Sequence, residues 1–198
     1  MRLRLLNVGI LALTALAATS FARGQGQAPF VQLEVRALAR VVYFSEGNNP
    51  IAGEYAIEYG KPAWRAEYDA GFDALTRGKR LRLGKDWWTT LTTYCPLAIG
   101  EKGELKAGVY FLALDCSDKG EWSLVALDPE PLRKSKQDAF GSAQTKGGAR
   151  LPLKYEATKD AMKELVIQFL AEEAKPREQT LEIRFGKHRL TALVQPKI

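Results

Sequence analysis

Residues 108–127 read GVYFLALDCSDKGEWSLVAL, two short apolar runs separated by a polar turn. The runs at 108–115 and 121–127 are rich in Val, Leu and aromatic residues, which are the residues that β-strands favour. Residues 117–120 (SDKG) are typical of a tight turn. This stretch therefore predicts an antiparallel β-hairpin.

Similar strand and turn signals continue on both sides of this hairpin. A turn signal every eight to twelve residues between short strands is typical of an antiparallel sandwich or barrel, and the sequence predicts an all-β fold. Further strands are predicted at residues 31–45, 54–59, 80–83, 87–94, 97–99, 104–106, 150–155, 180–185 and 189–194.

Several segments are less clearly patterned. Residues 63–77 carry Trp64, Tyr68 and Phe72 at four-residue spacing, which fits one face of a short helix or aromatic side chains in an ordered loop. Residues 161–170 fit either a helix or a buried strand. We expect a long exposed loop at about 128–149 and a hairpin turn at 186–188.

The first 22 residues have the pattern of a signal peptide. Arg2 and Arg4 precede an uncharged apolar stretch at 5–18, and Ser20-Phe21-Ala22 offers a small-x-small cleavage site. An uncleaved membrane anchor is the alternative. Cleavage would leave a flexible leader at 23–30 and one domain at 31–198, periplasmic or secreted and without a transmembrane anchor.

The charge and the cysteine content of the chain limit the classes of function that it can have. The chain has 29 Lys and Arg against 23 Asp and Glu, and losing Arg2 and Arg4 would lower its net charge from +6 to +4. Because the basic residues are spread along the chain, we expect no nucleic-acid partner. Cys95 and Cys116 would both be exported, so a disulfide between them is predicted, with two separate thiols as the alternative.

Few residues offer catalytic or metal-binding chemistry. His188 is the single histidine, and a turn flanked by Lys187 and Arg189 gives it no orienting carboxylate for a catalytic triad. One His and two distant Cys do not make a zinc site, so we expect no metal and no cofactor. Paired carboxylates remain as candidates for hydrolysis. They are Glu54, Glu58, Glu67, Asp69 and Asp73.

Residues 78–88 form the best candidate for a ligand site. Arginine beside carboxylate and aromatic side chains suits recognition of a sugar or a peptide on a sheet surface. The alternative is that one Trp packs in the core while the arginines are solvated. The candidate residues are Arg80, Arg82, Lys85, Asp86, Trp87 and Trp88.

From about residue 54 onward, the chain resembles the secreted bacterial family grouped as domain of unknown function 2911. The similar motifs, in order, are residues 59–62 (YGKP), 78–86 (GKRLRLGKD), 89–93 (TTLTT), 105–110 (LKAGVY), 121–124 (EWSL) and 181–186 (LEIRFG). The resemblance implies an exported all-β sandwich and a strand at 165–170. It implies no particular activity. Leu81, Lys85, Asp86 and Phe185 depart from the family's Trp, Ala, Asn and Trp, while Arg82 and Gly84 agree with it.

These features favour a non-enzymatic β-sandwich that binds a glycan, peptide or protein of the cell envelope. A different class of function is an envelope hydrolase that uses carboxylates around Glu67, Asp69 and Asp86. A redox role for Cys95 and Cys116 is disfavoured because they lack Cys-x-x-Cys spacing.

Overall fold

In the part of the chain that the structure describes, ten β-strands, all paired antiparallel, make up most of the fold, and two α-helices and one 3₁₀ helix lie between them. The computed structural model describes residues 34–45 and 50–198; the predicted signal peptide and leader lie outside these ranges. The strands are β1 (Ala37–Phe44), β2 (Ile51–Tyr59), β3 (Lys79–Arg82), β4 (Thr89–Thr93), β5 (Leu97–Ile99), β6 (Gly103–Leu105), β7 (Gly108–Cys116), β8 (Trp122–Leu127), β9 (Ala149–Ala171) and β10 (Gln179–Pro196). The helices are α1 (Glu67–Thr76), α2 (Pro129–Lys134) and the 3₁₀ helix (Ala139–Gln144).

The strands form one hydrogen-bonded path in the order β1-β2-β4-β7-β8-β9-β10-β5-β6, and β3 also pairs with β7. The all-β prediction is confirmed. The predicted hairpin at 108–127 is β7 and β8, with Cys116 opposite Trp122. Because all ten strands belong to one connected sheet, packing as two separate layers of a sandwich stays a prediction.

Strands β7 and β8 are buried on both faces. Leu112 and Leu124 belong to the main core, whereas Phe111 and Val125, on the opposite face, belong to a smaller cluster. Ala139 of the 3₁₀ helix completes that smaller cluster. Residues 128–149, predicted as a long exposed loop, contain α2 and the 3₁₀ helix, and most of their side chains are exposed. Ala139 is buried and covers part of this second face.

The segment at 161–170 is part of β9, as the family resemblance implies. Strand β9 pairs with β8 through its first residues, where Leu153 lies opposite Trp122, and with β10 through the rest. Tyr59 of β2 ties β9 to the core, since its hydroxyl donates to the carbonyl of Ile167 (3.1 Å) and accepts from the Ile167 amide (3.0 Å).

The predicted hairpin turn at 186–188 is wrong. Strand β10 continues from Gln179 to Pro196 without a turn, and its pairing with β9 shifts register on both sides of Gly186. Gly186 has φ of +58°, a conformation that glycine adopts at no steric cost. The glycine thus bends a continuous strand instead of ending it.

The predicted disulfide is also wrong, since Cys95 and Cys116 are both buried free thiols. Thr93 pairs with Gly108, so Cys95 lies near one end of β7 while Cys116 is at the other end. At about 3.4 Å per residue the two ends of β7 are roughly 27 Å apart. A disulfide requires Cα atoms within about 7 Å.

Candidate functional site

A cleft of about 420 Å³ lies between α1 and the sheet, and we call it the aromatic cleft. Aliphatic side chains of β3, β7, β9 and β10, and one just after β3, line one part of it: Leu81, Leu83, Leu114, Leu165, Ile183 and Leu190. Rings line much of the remainder: Trp64, Tyr68, Phe72, Trp122, Tyr155 and Phe185, together with His188. This lining provides a concave and mostly apolar surface, the usual form of a small-molecule site.

Trp64 is held in the cleft wall by a short extension of the sheet. Its amide donates to the carbonyl of Lys163 (2.7 Å), and the amide of Leu165 donates to the carbonyl of Pro62 (3.0 Å). An isolated bridge between Ala63 and Glu164 continues this pairing along β9. The backbone of residues 62–64 is therefore fixed before α1 begins, which sets the position of the indole.

Helix α1 supplies the second aromatic wall. Tyr68, Phe72 and Thr76 lie four residues apart, so they share one face of the helix, as the helical alternative for 63–77 predicts. The Thr76 hydroxyl donates to the Phe72 carbonyl (2.8 Å), so it turns back to the helix and not toward a ligand. The Trp64 ring packs edge-on against Tyr68, with centroids 5.3 Å apart.

Gly186 allows the indole of Trp64 to pack directly on the backbone of β10. A Cβ atom at this position would overlap three atoms of the Trp64 ring. Phe185 beside it meets the same indole edge-on, with centroids 4.8 Å apart. The bend in β10 and the aromatic wall thus depend on the same glycine.

His188 lies within the cleft, half-buried, and not in an exposed turn. Its ring stacks on Phe72 with centroids 3.4 Å apart, and its Nδ1 lies 3.0 Å from the hydroxyl of Tyr155. Burial lowers the pKa of His188, and the nearby carboxylates of Asp69 and Asp73 partly oppose this effect. Burial also raises the pKa of Tyr155. We therefore expect both side chains to be uncharged at neutral pH.

Three residues that line the cleft have a buried nitrogen without a hydrogen-bond partner: Trp64 Nε1, Arg82 Nη1 and His188 Nε2. The rings of Trp64 and His188 are neighbours, with centroids 5.4 Å apart. Buried polar atoms are nearly always paired in folded proteins, so two unpaired atoms on adjacent rings are unusual.

The six residues predicted at 78–88 do not come together at one site. Arg80 is enclosed: its guanidinium pairs with Asp115 (2.7 Å) and donates to the carbonyls of Thr145 (3.0 Å) and Gly147 (3.1 Å). Arg150 binds the same carboxylate at 2.8 Å. Arg80 thus fixes the segment that leads into β9, beside a separate polar cleft.

Arg82 borders the aromatic cleft, but its guanidinium lies 4.1 Å from the centre of the Phe140 ring, which is not part of the cleft lining. Lys85 and Asp86 pair with each other (3.4 Å) in the turn after β3. Trp87 is 52% exposed, whereas Trp88 is 1% exposed and stacks on Phe111 in the smaller core cluster.

The carboxylates considered for hydrolysis are also dispersed. Glu67 and Asp69 are exposed residues in the first turn of α1, and Glu67 lies 3.6 Å from Arg65. Glu58 pairs with Arg36 (2.7 Å) on the β1–β2 side of the sheet. Among the residues that line the aromatic cleft, none is a carboxylate, a serine or a cysteine.

Sequence reasoning identified Trp64, Tyr68 and Phe72 as a group but did not connect them with Tyr155 or His188. The available signal was Gly186 between two strand-like runs, because an isolated glycine within a strand pattern can mark a bulge or a close backbone approach.

Within residues 34–45 and 50–198, no three His, Cys, Asp or Glu side chains are grouped so that they could hold a metal ion. The same residues contain no helix long and apolar enough to cross a membrane. Comparison with protein-family models, curated proteins and solved structures gave no match. The resemblance to domain of unknown function 2911 therefore stays a prediction.

Proposed function

We propose that this chain is an exported, non-enzymatic binding protein of the cell envelope that holds a small apolar molecule in the aromatic cleft. The observation that carries the proposal is the cleft lining, in which aliphatic and aromatic side chains surround about 420 Å³. This volume lies in the range of about 300–1,000 Å³ that is usual for small-molecule sites.

The lining favours an apolar ligand over the glycan or peptide that the sequence alone suggests. Sugar and peptide sites need several polar partners, because each ligand hydroxyl or amide that loses water must be paired again. The cleft offers few such groups. Its aliphatic part includes Leu114 and Leu165. Contact with these side chains removes apolar ligand surface from water, which makes the free energy of binding more favourable.

The surroundings of His188 support binding without turnover. A general base needs an acceptor nitrogen within reach of a nucleophile and a group that orients the ring. Here Nδ1 is engaged by Tyr155, and Phe72 covers one ring face. The lining contains no serine, cysteine or carboxylate, and its one aliphatic hydroxyl, that of Thr76, donates to the carbonyl of Phe72.

The test is direct ligand binding by the purified protein. Trp64 and Trp122 line the cleft, so their fluorescence reports occupancy. We expect 1-decanol to give a saturable change in emission and to raise Tm, while envelope glycans and short peptides give neither. Absence of a saturable signal with 1-decanol would overturn the proposal, and so would catalytic turnover of a bound probe.

A matched pair of variants locates the binding to the cleft. Leu75 borders the cleft and is 48% exposed, whereas Leu38 on β1 is 56% exposed and outside it. Leu75→Glu places a charge beside the apolar ligand, and we expect about tenfold weaker binding of 1-decanol. Leu38→Glu adds the same charge elsewhere and should leave binding unchanged. Equal effects of the two variants would contradict binding in the cleft.

A further inference from the structure

Resting on the proposed function, we infer that α1 is the lid of the aromatic cleft, which unfolds locally to admit a ligand and refolds over it. The lid segment is residues 65–78, which contain α1 and its flanking turns. It forms one wall of the cleft, because Tyr68, Phe72 and Leu75 belong to the lining. Among the helical residues of this segment, Thr76 is the one that is buried.

Strand pairing holds both ends of the lid segment. Residues 62–64 before it bond to residues 163–165 of β9, and β3 after it pairs with β7. Within the described residues, the segment itself pairs with no strand, and its backbone hydrogen bonds are internal, such as that from the Tyr68 amide to the Arg65 carbonyl (3.0 Å). The helix can therefore unfold without breaking any strand pairing.

Two side-chain hydrogen bonds reach the segment near its C-terminal end. Lys79 Nζ donates to the carbonyl of Ala74 (2.6 Å), and Arg77 donates to the carbonyl of Asp118 (3.4 Å). Both donor side chains are exposed, so water replaces these bonds at little cost when the lid opens.

Helix α1 has few of the features that stabilise a short helix, apart from two acidic residues in its first turn. It has ten residues, and isolated helices shorter than about 12–15 residues are marginal in water. No side chain caps its N-terminus at Ala66, and its last turn has no basic residue. Gly71 lies in its middle, where glycine is the least favourable residue after proline. The helix therefore depends on packing against the sheet.

That packing is concentrated on Phe72. Its ring lies near those of His188, Trp122 and Tyr155, with centroids 3.4, 5.9 and 6.4 Å away. All three partners line the cleft, so a ligand that fills the cleft touches the same rings that hold the lid closed. The ligand thus adds contacts that the open lid cannot offer. Occupancy shifts the equilibrium toward the closed helix, because a ligand favours the state that binds it better.

The closed lid leaves the deep part of the cleft little exposed to solvent. Leu83, Leu165 and Ile183 line the cleft and are buried, and so is Trp122, next to the Phe72 ring. An apolar ligand must contact these side chains to lose its own contact with water. Local opening of a segment of low stability gives it that access while the core strands stay folded.

Hydrogen exchange of the unliganded protein tests the lid directly. We expect the amides of α1 to exchange at least about a hundredfold faster than those of β7 and β8, because opening the lid leaves the sheet intact. Saturating 1-decanol should slow the exchange of α1 by about tenfold or more, since the bound ligand holds the helix closed. Exchange of α1 as slow as that of β7 and β8 would overturn the inference, and so would unchanged exchange when 1-decanol is bound.

The rates of ligand binding test it a second time, in variants that alter the helix but not the cleft lining. Gly71→Ala favours the helix, and the nearest atom to the added Cβ is Leu75 Cδ1 at 3.7 Å, an ordinary contact. Ala70→Gly, at an exposed position of the same helix, disfavours it. By stopped-flow tryptophan fluorescence, association and dissociation of 1-decanol should both slow about fivefold in Gly71→Ala and both accelerate about fivefold in Ala70→Gly. Kd should be retained, because each change acts equally on the free and the occupied closed lid.

Ala143→Gly is the matched control, since it makes the same change at an exposed residue of the 3₁₀ helix, outside the cleft lining. Its rates should equal those of the unaltered protein. Unchanged rates in both α1 variants, or equal effects of Ala70→Gly and Ala143→Gly, would overturn the lid and leave the proposed function intact. No saturable binding of 1-decanol would overturn the proposed function, and the lid inference with it. If Ala70→Gly does not fold, hydrogen exchange of the unaltered protein still distinguishes a lid from a fixed helix.

Discussion

The imidazole of His188 lies flat on the phenyl ring of Phe72, with centroids 3.4 Å apart and 5° between the ring planes. Phe72 belongs to α1 and His188 to β10, so this contact attaches the helix to the sheet. It also shields one face of the imidazole from water. The burial of His188, and with it the lowered pKa, follows from this packing.

Because the pKa of His188 in the folded protein lies below 6.5, the unfolded chain binds more protons between these two values. Stability from His188 is therefore complete above pH 6.5 and is lost as pH falls through this window. Asp69 and Asp73 on α1 oppose the shift, and Tyr155 on β9 bonds Nδ1. We expect the free energy of unfolding to fall between about pH 7.5 and about pH 5.5, and to fall less in His188→Gln.

Urea unfolding of both proteins at the two pH values measures this difference. Since His188 is the single histidine, its imidazole resonances in an NMR titration need no further assignment. A pKa at or above 6.5 would contradict the expected burial.

Gly186→Ala should destabilise the protein by about 1–3 kcal/mol, because the added methyl group overlaps the Trp64 indole. Gly147→Ala is the matched control: Gly147 also has positive φ, at +71°, but nothing lies within 4 Å of an added Cβ. Chemical denaturation compares the two variants. A similar loss in both would mean that backbone conformation, and not contact with Trp64, is the cause.

Tyr59→Phe should lower the free energy of unfolding by about 1–3 kcal/mol, because it leaves the buried Ile167 amide without its acceptor. Tyr94→Phe removes the same hydroxyl from an exposed residue and should have little effect. Denaturant unfolding with both variants tests this expectation. Equal stability of Tyr59→Phe and the unaltered protein would argue against the bond to β9.

The two cysteines should both react with a thiol reagent in the unfolded protein without prior reduction, since both are free. In the folded protein the reaction should be much slower, because both thiols are buried and burial raises the pKa of Cys116. Mass spectrometry after alkylation in denaturant counts the labelled thiols. A sample that requires a reductant before labelling would indicate a disulfide instead.

The strands could be predicted where the sequence signals that define them are local. The hairpin of β7 and β8 follows from residues 108–127, whereas the four-residue spacing of Tyr68 and Phe72 left a helix and an ordered loop as alternatives, and the structure has the helix α1. The covering of the second sheet face was missed. Consecutive apolar residues from Phe111 to Leu114 were an available sign, because a strand that faces water on one side alternates instead.

The candidate site was harder to predict because its parts are far apart in the sequence. Trp64 precedes α1, whereas Gly186 and His188, which it contacts, lie on β10 near the other end of the described chain. The arginines and tryptophans at 78–88 looked like binding residues. In the structure, Arg80 holds the segment that leads into β9, and Trp88 packs in the smaller core cluster. Residue types indicate what side chains can do, but their partners here depend on long-range pairing.

The pairing of β5 with β10 has a consequence for the order in which the protein is assembled. Val194 lies opposite Ile99, so β5 must find its neighbour across nearly a hundred residues. Closing so long a segment costs conformational entropy, and this cost is offset only when the final contacts form. As the chain is synthesised, one edge of the sheet stays open until the last strand has emerged. Because the core is completed so late, the chain stays unfolded for longer, which suits the proposed passage through an export channel before folding.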